Sequence, residues 1–288
     1  MIAFRTKFVP PHPGRAPRTG LGLVCGLGLV VGLATGSQVV AGSRDDEGMT
    51  RALRRIQYGM STSVAATRAY EAAKALHRQS PGRPDLAWAF ARACFDRCEA
   101  LASKPVRISV AHEGVEACRT ALKTFPAEAG CHYYLAMNLG ILAQSQPLRA
   151  LGHVRDMESA WQASRLLEPA FDHAGADRSL GMLYAECPPP PLGVGSRSKA
   201  RQHLSKAVEL EPVHPGNRLE WIGYLLKDGE PAAARREFEA LQQALPAARE
   251  RFAGEAWQPT WATWEARMET FGKRLAHGRT KDTKASGS

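Results

Sequence analysis

The sequence predicts an all-α fold of about four to five helical hairpins stacked into a solenoid. A C-terminal helix caps the stack, and one N-terminal apolar segment precedes it. Three observations carry this. Five amphipathic stretches end in proline, at Pro81, Pro126, Pro169, Pro212 and Pro246, with intervals of 45, 43, 43 and 34 residues. Trp257, Trp261, Trp264, Met268, Phe271 and Leu275 follow with 4, 3, 4, 3, 4 spacing, an apolar stripe on one helical face. The chain also lacks the β-branched runs that a buried sheet needs. A composition of 44% hydrophobic and 23% charged residues sits near the globular average, which excludes wholesale disorder and a polytopic membrane protein.

In chain order, the first element is a leader. Residues 1–20 are Pro-rich and carry Arg5, Lys7, Arg15 and Arg18 without an acid. Residues 21–42 are uncharged, suited to a signal-peptide apolar region or a tilted membrane anchor. Cys25 follows Val24, a poor context for lipoprotein processing. The expectation is export, cleaved or anchored, to a periplasm or cell envelope. The formal net charge of +10 is concentrated at the two chain ends; residues 43–272 hold 29 Lys and Arg against 27 Asp and Glu. A nucleic-acid surface needs cations on one folded face, so that function is set aside.

The repeat region is read as residues 43–252. Proline ends a helix because it lacks an N–H and disfavours helical geometry in its predecessor. Eight residues before the last four prolines stand Cys118, Trp161, Leu204 and Phe238. Four residues earlier come Gly114, Met157, Ala200 and Ala234, and three after the first set come Ala121, Ser164, Ala207 and Leu241. Small residues let paired helices approach while a larger one fills the angle between them. Leu180-Gly181-Met182-Leu183-Tyr184 matches the first-helix pattern of the tetratricopeptide repeat, with weaker echoes at Leu135-Ala136 and Ile222-Gly223. The 43-residue units carry excess length near 144–154 and at the proline loop, residues 188–196. Ser196 or Ser198 can cap the helix after that loop.

The stripe from Trp257 to Leu275 places the capping helix in residues 253–277, with Pro259 in its first turn. A membrane-surface helix is the alternative. Residues 278–288 read as a disordered basic tail. Cys94, Cys98, Cys118, Cys131 and Cys187 lack metal-ligand spacing, so packing is the first reading and one disulfide the second. No metal and no cofactor are expected.

Residues 171–231 resemble the TRAP-transporter T-component family, with looser similarity over about residues 60–250. The resemblance rests on Asp172, Gly175, Arg178, Leu180-Gly181, Tyr184, Pro188–Pro191, Gly195-Ser196, Lys199-Ala200 and Asn217-Arg218-Leu219. It implies an exported repeat protein with a groove or pore for an apolar small molecule, paired with a transporter subunit. The lipid-attachment cysteine of a lipoprotein member is absent.

The candidate ligand or partner region is Asp172, His173, Asp177, Arg178, Pro189, Pro191, Arg197 and Arg218. Asp172 and Asn217 stand where helices begin and are read as caps. Arg178 is placed to reach Asp172 or the carbonyls of the proline loop. His173 beside two carboxylates resembles acid–base material, yet no nucleophile motif accompanies it, and no P-loop, G-x-S-x-G or H-E-x-x-H occurs. No catalytic residue is assigned. Two functions remain open: a receptor for an apolar small molecule, or an adaptor docking a peptide of an envelope protein. An enclosed apolar cavity of several hundred Å3 favours the first, and an open polar groove favours the second. A membrane tether through residues 21–42 and a homo-oligomer are compatible with either.

Overall fold

The computed structural model describes residues 47–53, 56, 63–146 and 149–285. The leader, the apolar segment 21–42 and Cys25 lie outside them. No described helix is long and apolar enough to cross a membrane.

After a helical turn at 47–53, ten longer helices follow among the described residues: α1 (Ser63–Gln79), α2 (Pro84–Ala100), α3 (Lys104–Thr124), α4 (Ala129–Ser145), α5 (Ala150–Leu167), α6 (Gly175–Glu186), α7 (Arg197–Leu210), α8 (Pro215–Lys227), α9 (Pro231–Arg251) and α10 (Gln258–Ala285). Helices α2/α3, α4/α5, α6/α7 and α8/α9 form four hairpins, each packed against the next, and α10 packs on α8 and α9. Four expected terminators do stop their helices, since α1, α3, α5 and α7 end just before Pro81, Pro126, Pro169 and Pro212.

Pro246 is a correction. It lies inside α9, which continues to Arg251. Pro246 and Gln242, whose carbonyl loses its partner, are both exposed, so water replaces the missing bond, while Leu241 and Ala248 stay buried on the other face.

The inter-helix register matches the sequence reading. Cys118, Trp161 and Leu204 are buried and Phe238 packs against the core. Ala121, Ser164, Ala207 and Leu241 are buried as well. At Gly181 a Cβ would lie 2.5 Å from Leu204 Cγ, which explains the glycine in the first helix of that hairpin. Cys94, Cys98, Cys118, Cys131 and Cys187 are all buried and unpaired with one another.

Trp257, Trp261, Trp264 and Leu275 are buried, so the apolar face of α10 is covered by the last hairpin. Arg267 fixes the docking with bonds to Glu220 Oε1 at 2.6 Å and the Leu219 carbonyl at 3.1 Å. The helical backbone runs to Ala285, through residues 278–285 expected as a disordered tail. That stretch has one glycine and no proline to end the helix.

Candidate functional site

The segment between α5 and α6 has the most unusual backbone described. Asp172, His173 and Ala174 are consecutive left-handed residues, with φ of 50°, 56° and 58°. Such conformations cost an L-residue roughly 1–2 kcal/mol each, so the surroundings must hold the turn. Arg178 and Asn217 do so. Arg178 donates to the Asp172 carboxylate at 3.1 Å, the His173 carbonyl at 3.2 Å and the Asn217 side-chain oxygen at 2.7 Å. The Asn217 amide donates to the carbonyls of His173 and Ala207, both at 3.0 Å. Tyr133 of α4 donates to Asp172 at 2.8 Å.

Two cap assignments are therefore corrected. Ala174, in the left-handed region, is the residue before α6, and Asp172 turns its carboxylate to Tyr133 and Arg178 instead. His214 caps α8 by accepting the Asn217 N–H at 3.2 Å, which leaves the Asn217 side chain free to brace the turn. Ser196 does cap α7, accepting from the Lys199 N–H.

The remaining candidates do not join this centre. Asp177 points to the opposite side and accepts from Arg165 at 3.1 Å, with His203 Nδ1 at 2.6 Å. Arg197 pairs with Asp228 and Arg218 with Glu237. Pro189 and Pro191 are exposed on the far loop, next to exposed Leu192. That loop is closed by its own backbone, Gly195 N–H to Pro188 at 2.9 Å and Ser196 N–H to Tyr184 at 3.0 Å, and not by Arg178.

Beside the left-handed turn lies a cleft of about 210 Å3. It opens along the edge where one hairpin passes to the next. Trp88 and Tyr134 stack at 5.9 Å, and Phe171 meets Trp88 edge-on at 5.8 Å, forming an aromatic wall. Arg92, Glu128, Glu168, Asp172, His173, Glu211 and Arg251 supply the polar lining. Trp88 and Arg92 of α2, Glu128 before α4 and Arg251 at the end of α9 were missed as site residues because they come from separate hairpins. Tyr133–Asp172 and Arg178–Asn217 both span 39 residues, so each bond joins neighbouring hairpins.

Burial sets the charge states. His173 is pushed down to about 4 by desolvation, then by Arg178, Arg251 and Arg92. Stacked His214, 5.0 Å away, lies well below its usual value for the same first reason. Burial raises the Asp172 carboxyl, with Arg178 opposing. Desolvation also raises Glu128 and Glu168. Two neutral imidazoles beside a carboxylate already committed to Arg178 and Tyr133 make a brace. Among the described residues no group of three or more His, Cys, Asp or Glu is arranged to hold a metal.

A second cavity, apolar and about 50 Å3, lies between α2, α4, α5 and α6 and is lined by Phe95, Met137, Ile141, Met157 and Leu183 among others. It is well below the roughly 300 Å3 at which small-molecule pockets begin.

Residues 52–150 match the family described as regulator of microtubule dynamics protein 1-3, about a third of the chain spanning α1 to α4. No curated protein matches the sequence. The crystal structure of a thermophilic tetratricopeptide-repeat protein from Thermus thermophilus is similar, with a TM-score of 0.54 at 17% identity, covering 77% of this chain and 98% of that one. Neither of these two matches is to the T-component family. Among the described residues the fold is an all-helical solenoid of the tetratricopeptide type.

Proposed function

We propose that the protein is a non-catalytic adaptor that holds a peptide segment of a partner protein in the edge cleft. The observation that carries this reading is the contrast between the apolar cavity and the edge cleft among the described residues. The apolar one, about 50 Å3, falls far short of the several hundred Å3 a small-molecule receptor encloses. The edge cleft is lined by charges of both signs and aromatic faces and opens at the rim of the solenoid, as suits an extended chain. The family matched by residues 52–150 is named for regulating a protein polymer, in keeping with a protein partner. The transporter-component role keeps only the resemblance of residues 171–231. The leader favours a working place in the cell envelope, with the solenoid exported or tethered.

Panning a random dodecapeptide display library on the full chain tests this. Recovered peptides should bind at least tenfold more weakly to Trp88→Ala and be indifferent to Leu192→Ser on the proline loop. A reproducible extra mass in native mass spectrometry, with no peptide recovered, would overturn the adaptor in favour of a receptor.

A further inference from the structure

The charges of the edge cleft do not cancel evenly. On one side of the cleft Arg251 pairs with Glu211 at 2.8 Å, and Asp172 is neutralised by Arg178 at 3.1 Å. Arg92 lies close enough to act on both Asp172 and His173. At the rim the balance is different. Glu128 and Glu168 have no ion pair among the described residues, and each sits where burial opposes its charge. Glu168 and Asp85 add to the negative field at Glu128. Two partly desolvated carboxylates thus share a mouth with Trp88 and Phe171, both half-buried.

We propose that the cleft receives a basic side chain, arginine or lysine, of a partner peptide, its cation between Glu128 and Glu168 and its stem against Trp88 and Phe171. This rests on the adaptor reading and names the chemistry of its ligand. Size permits this: a cleft of about 210 Å3 has room for one long side chain. Charge agrees, because a guanidinium restores the neutrality that the rim lacks and can lie over an aromatic face. Exposed Phe125, Leu166 and Leu167, within three residues of the two glutamates, offer apolar contact to the neighbours of that basic residue. A bound cation would also remove the mutual repulsion of the two carboxylates, a gain that neither a neutral nor an acidic peptide supplies.

The test uses three fluorescein-labelled nonapeptides on one Ala/Leu/Ser frame, carrying three arginines, three citrullines or three glutamates. Each is titrated with the full chain by fluorescence polarisation. The arginine peptide should bind at least tenfold more tightly than the others and weaken further with salt. Glu128→Gln with Glu168→Gln should reduce its binding about tenfold, since two of its charge contacts are lost. Glu168→Gln alone, at an exposed position, should account for part of that loss without affecting folding. Glu116→Gln with Glu239→Gln, elsewhere on the surface, should leave binding unchanged.

Equal binding of the citrulline peptide, or equal losses in the remote variant, would overturn the proposal while leaving the adaptor reading standing. Preference for the glutamate peptide would do the same. If binding appears only after Arg5, Lys7, Arg15 and Arg18 are replaced by glutamine, the chain's own leader is the occupant and the partner assignment falls. If these peptides and the display library all fail, the adaptor reading falls with it.

Discussion

Arg178 and Asn217 meet at 2.7 Å across two successive hairpins, and the left-handed turn at residues 172–174 sits between them. One buried guanidinium therefore holds the turn, neutralises Asp172 and links α6 to α8. Removing one partner of a buried ion pair strands the other, so Arg178→Met should destabilise the protein by about 3–5 kcal/mol. Asp172→Asn in the same chain should recover part of the loss, because it removes the stranded charge. Urea unfolding of the parent, the single and the double variant measures both effects, and a loss below about 1 kcal/mol in Arg178→Met would show that the turn is held by other contacts.

Acidification should weaken the fold through its two buried histidines. The folded pKa of His173 is about 4 and that of His214 is well below its ordinary value, whereas an unfolded histidine titrates near 6.5. Both are neutral in either state at pH 7, where their contribution is complete. As the pH falls below 6.5 the unfolded chain takes up protons that the folded chain refuses, and stability drains by about 1.4 kcal/mol per pH unit for each histidine. The raised carboxyls of Asp172, Glu128 and Glu168 act in the opposite sense, adding stability as pH falls. The histidine effect should be the larger between pH 7 and 5. Urea midpoints at pH 7, 6 and 5 should decline, and His173→Gln should flatten part of the slope.

The close approach of α6 and α7 makes a third prediction. A Cβ at position 181 would press on Leu204 Cγ at 2.5 Å, so Gly181→Ala should cost about 1–3 kcal/mol by overpacking. Leu204→Ala alone should cost about 2–5 kcal/mol through the cavity it leaves. Together they should be clearly less than additive, because the added methyl occupies space that the lost leucine vacates. Additive costs in thermal or urea unfolding would mean that the two positions do not face each other.

What was legible in the chain was what proline and periodicity write locally. Pro81, Pro126, Pro169 and Pro212 stop helices, and the residues counted back from them, such as Trp161 and Leu204, do face inward. The Asp172–Arg178 contact was readable because both partners lie within seven residues. Its other arms were not, since Tyr133 and Asn217 come from neighbouring repeats and nothing local marks them. Asp172 looked like a helix cap because cap preference is a local statistic. The structure overrides it by letting three left-handed residues carry the chain into α6, a conformation that tertiary hydrogen bonds stabilise and short-range propensity cannot show. The edge cleft was the least legible feature, being assembled from the ends of successive hairpins that share only the repeat translation.

Pro246 tests the limit of proline reading. It sits within α9, where it removes the bond to Gln242 and exposes that carbonyl to water, while Leu241 and Ala248 on the same helix stay packed. A terminator can be replaced at little gain, because the chain after it is not helical. An interior proline is different: alanine restores one backbone bond and relieves a ring clash with the preceding turn. Pro246→Ala should therefore stabilise the protein, by about 1–3 kcal/mol given the full helix-interior penalty. Differential scanning calorimetry should show a higher melting temperature, with α9 better protected in hydrogen exchange around residues 242–250. A neutral or lowered melting temperature would return Pro246 to the role of a helix end and shorten the last hairpin.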